Sequence, residues 1–244
     1  MKITERIYII GSANYGLSHD FDCNIYLVDF KDELIIIDSG AGVDVEAVIK
    51  NIKRDGLNPD KLSKIFFTHS HADHAGGAFE LKKRFNCSIY MSELEAGFLE
   101  HGVEKELALD IAKKTGLYSK DYQLVNCGVD NKLKNGDTIK TGGVEIKAIN
   151  VPGHSKGSLC YLMKLPEGNV LFSGDVVFAN GLILLLNCDG SELSDYRKYI
   201  SRLSNLNIDM LFPGHSLFIL SEGQKHIDMA IKSLSLLFLP KNYA

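Results

Sequence analysis

Three of the eight histidines in this 244-residue chain fall within six positions, in Thr68-His69-Ser70-His71-Ala72-Asp73-His74. Imidazole and carboxylate are the ligands that borderline and hard divalent metals take. In extended backbone alternate side chains point the same way, so His69, His71 and Asp73 converge and His74 turns aside. Two diverging sets of ligands at one place imply two ions. A loop of merely hydrogen-bonded polar residues would not require four such groups in so short a span. The pair Gly76-Gly77 follows, and it lets backbone come close to whatever is bound.

These residues need rigid elements to hold them. The apolar run at 64–67 reads as a buried strand leading into the motif, and 78–85 has the apolar spacing of a helix leading out of it. Further strands are predicted at 5–10, 24–30, 34–37, 88–91, 138–140, 144–151, 159–164, 170–172 and 210–212. Helices are predicted at 43–54, stopped by Gly56, at 194–203, capped by Ser194, and at 222–237. Residues 92–126 read as a mostly helical insertion whose apolar positions pack over something, a lid or an oligomer contact. The run 182–186, Leu-Ile-Leu-Leu-Leu, is too apolar for a solvated connection: it either lines a pocket or is buried in the fold or in a subunit interface. No linker or low-complexity tract interrupts the chain, so residues 1–244 are expected to form one domain.

The motif resembles the signature of the metallo-β-lactamase superfamily, His-x-His-x-Asp-His, and the resemblance extends along nearly the whole chain. Relatives add a fourth His, a bridging Asp and a fifth His, each just after a strand. Here Val151-Pro152-Gly153-His154-Ser155, Phe172-Ser173-Gly174-Asp175 and Phe212-Pro213-Gly214-His215-Ser216 follow in that order. The resemblance implies an α/β fold of the αβ/βα sandwich type, two sheets with helices outside. It implies that His69, His71 and His154 hold one metal, that Asp73, His74 and His215 hold a second, and that Asp175 bridges them. Two ions about 3.5–4 Å apart need an anionic bridge to offset their repulsion, and a carboxylate supplies one. A water shared by such ions has its pKa drawn from about 15.7 toward 7, which gives hydroxide at neutral pH. Asp73 would then orient the nucleophile and shuttle a proton. Asp38-Ser39-Gly40 resembles the family's first motif, where a carboxylate stands behind the ligands; a turn-forming Asp at a strand end is the other reading. The ions would be divalent, zinc first, although iron or manganese fits a His/Asp set equally well.

Composition narrows the chemistry. The formal net charge of −4, with Lys and Arg scattered, leaves no footprint for nucleic acid and argues against the nucleases and phosphodiesterases of this family. A sulfur dioxygenase-like oxidoreductase uses one iron and would not need His74 and His215. The last helix carries only Lys225 and Lys232 as basic residues, which argues against a glutathione substrate. What remains is hydrolysis of a small ester, thioester or lactone. His19, His101 and His226 lie outside the motifs and read as surface residues, Lys156 as a solvated cation, and Cys188 is too far from Asp175 in sequence to be a ligand. The substrate-binding residues are not legible. The odd number of widely spaced cysteines, the absence of a signal core and of any apolar run approaching about 20 residues point to a soluble, cytoplasmic protein with free thiols and no membrane partner.

Overall fold

The computed structural model describes residues 1–243 apart from Phe238, and the chain divides into two compact units, residues 1–132 and 133–244. In the first, six strands lie side by side in chain order: β1 (Ile7–Gly11), β2 (Ile25–Asp29), β3 (Leu34–Ile37), β4 (Leu62–Phe66), β5 (Ser88–Ser92) and β6 (Asn131–Leu133). The strand β6 is absent from the sequence reading, being short and two-thirds polar. β1 to β3 are antiparallel, the first pair joined by the loop 12–24 and the second by a short turn at 30–33, whereas β3, β4 and β5 run parallel. Parallel neighbours need a crossover. Helix α1 (Val45–Arg54) makes the first, with Val45, Val48, Ile49 and Ile52 turned into the core and the Asp44 carboxylate capping Ala47 N–H at 3.0 Å. The short α2 (Ala72–Ala75) and α3 (Ala78–Phe85) make the second. Every residue of β3 is buried, as befits a strand covered on both faces.

Residues 92–126 contain α4 (Ala96–His101) and α5 (Leu109–Thr115) and are otherwise irregular. They are less helical than their composition suggests, because each helix is ended by a left-handed glycine, Gly102 and Gly116. Their apolar residues do not line one helix face. Leu107, Leu109 and Tyr118 gather instead on Ala41 and Ala72 in a separate small core.

The second unit is a five-stranded sheet in the order β11-β10-β9-β8-β7. Its strands are β7 (Thr138–Thr141), β8 (Val144–Asn150), β9 (Leu159–Leu165), β10 (Gly168–Gly174) and β11 (Met210–Pro213). All pairings are antiparallel except that of β10 with β11, whose crossover carries α6 (Leu193–Tyr199) followed by a 3₁₀ turn. Ser194 lies inside α6 and does not cap it: the helix starts one residue earlier, after Glu192. Helix α7 (Gly223–Leu234) packs Ile227, Ala230 and Leu234 into the same core as α6. The run 182–186 is partly drawn into this unit's own core, through Ile183 and Leu185. Ile183 and Leu184 are buried, and residues 241–243 are laced to it through Tyr243 N–H to Ile183 O (2.8 Å) and Asn242 to both backbone groups of Leu185 (2.8 and 3.0 Å). Among the described residues no helix is long and apolar enough to cross a membrane.

Candidate metal centre

Parallel pairing brings the carboxyl ends of neighbouring strands together, and this is how Asp38 meets the motif. Asp38 follows β3, Thr68 follows β4, and Asp38 N–H donates to Phe66 O at 3.0 Å. Asp38, with φ +61, receives Thr68 N–H on Oδ1 and the Thr68 hydroxyl on Oδ2, both at 2.8 Å. Its Oδ2 also lies 2.9 Å from His74 Nδ1. The Thr68 oxygen stands 3.0 Å from His69 Nδ1. A hydroxyl has one proton, and here it goes to Asp38, so His69 Nδ1–H must donate to Thr68. The chain of donors therefore runs from His69 through Thr68 to Asp38, with His74 donating to the same carboxylate. Both imidazoles carry a proton on Nδ1, which in the neutral ring leaves the Nε2 lone pair for a metal. Asp38 is thus a turn residue and the support behind two histidines at once.

The alternation expected for the motif holds only as far as His71. From Ala72 the backbone turns helical, so Asp73 and His74 are neighbours on α2. His74 is not turned aside: its ring centroid is 4.0 Å from that of His69, and its Nε2 is 3.5 Å from Asp73 Oδ2. The rings of His69 and His71 meet edge to face at 4.5 Å. The buried Glu95 carboxylate holds Ser70 N–H at 2.7 Å, fixing the peptide between those two histidines. The Gly76-Gly77 pair lets the chain's own backbone come close. A Cβ on Gly76 would sit 2.2 Å from Ala41 O, and one on Gly77 2.5 Å from Ser39 O. Cys23 lies against Asp38 and His74, and burial pushes its thiol up to about 12, so it stays protonated there.

The second unit assembles its residues by the same rule. Asp175 follows β10 and His215 follows β11, parallel neighbours joined by Gly214 N–H to Gly174 O at 2.8 Å. Asp175 Oδ2 is 3.4 Å from His215 Nε2 and 3.5 Å from His154 Nε2. His154, in the loop from β8 to β9, points Nδ1 at the carbonyl of Leu184 at 2.9 Å. A carbonyl only accepts, so this imidazole also carries its proton on Nδ1 and presents a bare Nε2. Tyr196 donates to the same carbonyl at 3.1 Å and lies 3.0 Å from Asp175 O, linking α6 to both site loops.

A physical test of metal binding lies in these separations. The bare Nε2 of His74 faces an Asp73 oxygen, and that of His154 faces an Asp175 oxygen, each pair at 3.5 Å. With the rings neutral these are acceptors aimed at each other, and they repel unless a cation lies between them. Ligands held about 2.0–2.1 Å from a shared ion at the tetrahedral angle stand about 3.3–3.4 Å apart. The donor set and its spacing therefore fit divalent ions.

The other histidines take structural places. His19 is half-buried, accepts Phe21 N–H at 3.2 Å and packs edge-on to that ring. His101 is exposed. His226 is not a plain surface residue, because its Nδ1 accepts Asn180 N–H at 2.8 Å and burial lowers its pKa. Lys156 is exposed, and none of the five cysteines is in a disulfide. Sequence reasoning passed over Thr68, Glu95, Tyr196 and the Leu184 carbonyl. Only Thr68, adjoining the motif, left any trace there.

The chain matches the family model described as the metallo-beta-lactamase superfamily over residues 20–215. It is 28% identical over 233 residues to the acyl-coenzyme A thioesterase MBLAC2 of Homo sapiens, covering 87% of this chain and 76% of that protein. It is 24% identical over 219 residues to the atrochrysone carboxyl ACP thioesterase dmxR1 of Cryptosporiopsis sp., covering 89% of this chain and 56% of that one. The chain spans little more than half the length of several curated relatives, between 56% and 58%. Among solved structures, BJP-1, a subclass B3 metallo-beta-lactamase of Bradyrhizobium japonicum, aligns with a TM-score of 0.74 at 23% identity, covering 96% of this chain and 90% of that one. At that identity the likeness shows the fold.

Proposed function

The chain belongs to the metallo-β-lactamase superfamily, and on that footing we propose that it is a metal-dependent hydrolase acting on small acyl thioesters. His69, His71 and His154 would hold one ion, Asp73, His74 and His215 another, and Asp175 would bridge them, with zinc the first candidate. The observation that carries the metal reading is the pair of bare imidazole nitrogens, on His74 and His154, each 3.5 Å from a carboxylate oxygen. Two relatives named as thioesterases support a thioester over an ester or lactone.

When bound, such ions supply Lewis acidity and lower the pKa of a bound water from about 15.7 to about 7. The chain's own residues supply orientation and proton handling. Asp38 and the Leu184 carbonyl hold His74 and His154 in the tautomer that leaves Nε2 bare. Asp73 is the accessible carboxylate of the set. Its side chain is 26% exposed, against 3% for Asp175, which suits it to take a proton from the attacking water and pass it to the leaving thiolate. The test is a panel of a hexanoyl thioester, a butyrate ester, a lactone, a β-lactam and a phosphodiester, run on protein of measured metal content. Thioester turnover at about two ions per chain is expected. Metal-replete protein that leaves every thioester intact would overturn the reading, and so would turnover that survives complete metal removal.

A further inference from the structure

Within the 103–124 segment, Tyr118 carries a buried hydroxyl that the fold leaves unused. It is 5% exposed, its ring packs on Phe21 at 4.7 Å and on Tyr122 at 4.6 Å, and it shares a small core with Ala41 and Ala72. Ala72 separates His71 from Asp73, so this small core includes a residue of the motif itself. Tyr122, its neighbour in the stack, spends its hydroxyl on Ala41 O at 2.7 Å. The Tyr118 hydroxyl has no partner and is closed off from solvent. Leaving a buried hydroxyl unsatisfied costs about 1–3 kcal/mol, and a phenylalanine would fill the same space without that cost. The hydroxyl also lies where the Asp73 charge reaches it. Burial, then the Asp73 charge, pushes its pKa up, and a phenol is in any case neutral at ordinary pH, with a proton to donate.

We propose that Tyr118 is a substrate-binding residue: its hydroxyl donates a hydrogen bond to the carbonyl oxygen of the acyl thioester held at the motif, so that the 103–124 segment takes part in recognition. A donor placed on that oxygen binds the substrate and gains strength as negative charge develops there. The role rests on the thioesterase reading, yet it separates from it experimentally, because binding can be read without turnover.

The test uses Tyr118→Phe and two inert analogues of the hexanoyl thioester: a ketone with CH2 in place of sulfur, and a thioether with CH2 in place of the carbonyl. Melting temperature with and without each analogue reports binding, and hydrolysis of the thioester reports catalysis. Tyr118→Phe should melt at the wild-type temperature or above it, since the lost hydroxyl had no partner. It should bind the ketone about tenfold more weakly, bind the thioether unchanged, and lose about tenfold in kcat/KM. Wild-type protein that binds the ketone no better than the thioether overturns the Tyr118 role, whether or not thioesters are turned over. A variant several degrees less stable overturns it as well, by assigning the hydroxyl a structural partner. Inertness toward every thioester, with the ketone preference intact and lost in the variant, would instead sink the thioesterase reading and leave Tyr118 as a carbonyl-binding residue.

Discussion

A single proton decides how the first half of the site is built. Thr68 has one to give, Asp38 takes it, and His69 and His74 are then both left with Nε2 bare. Thr68→Val keeps the shape and removes the relay. The buried His69 Nδ1–H loses its acceptor, and Asp38 loses one of its donors. Unfolding free energy should fall by about 1–3 kcal/mol, and metal affinity by about 10–100-fold, as for other partners of metal-binding histidines. Denaturation of metal-free protein and metal titration measure the two separately. Thr68→Ser, which restores the hydroxyl, should recover most of the affinity, and unchanged metal binding in the valine variant would show that the relay orients nothing.

At the level of elements, the second half-site depends on how closely α6 approaches the loop after β8. Gly153, at φ +147, precedes His154, and a Cβ there would stand 2.4 Å from the Tyr196 ring. That ring is fully buried, so neither side has room to move. Gly153→Ala should therefore destabilise the protein by about 2 kcal/mol or more and displace His154. Tyr196→Phe is the milder change at the same contact. It frees the Leu184 carbonyl of one donor and should cost about 1 kcal/mol while leaving metal content unaltered. Thermal unfolding and elemental analysis of the two variants test the ordering, and equal effects from both would contradict it. The apolar run 182–186 is explained on this scale too. Ile183 and Leu185 pack into the core of the second unit while the carbonyl of Leu184, between them, steers His154.

For the whole molecule, the proposed ions should matter to folding as well as to chemistry. A ligand that binds only the native state stabilises it by about 2.7 kcal/mol at 100 times its dissociation constant. Chelation should therefore lower the melting temperature by several degrees, and re-addition of metal should restore it. Asp175→Asn keeps the shape of the proposed bridge but halves its acceptors and removes its charge. It should hold close to one ion per chain and lose activity, whereas exposed His101→Ala should change neither. Two ions and full activity in Asp175→Asn would make that carboxylate structural.

The sequence by itself determined the kind of fold, most strand positions and the chemical identity of the candidate ligands. Strands buried on both faces must be apolar throughout, and metal ligands must be of a few residue types, so both leave a local trace. Tertiary structure alone decided which groups orient those ligands. Asp38 reaches Thr68 and His74 because β3 and β4 run parallel, and the Leu184 carbonyl reaches His154 across 30 residues. A backbone carbonyl has no residue type, so nothing in the sequence could mark it. Two of the misreadings share a cause. His74 was expected to diverge by strand alternation, and 92–126 to be mostly helical, each from a local period carried past the point where the chain turned. α4 and α5 stop at the left-handed glycines Gly102 and Gly116, and the packing of the residues between and beyond them with Ala41 and Ala72 exists only once the chain has folded.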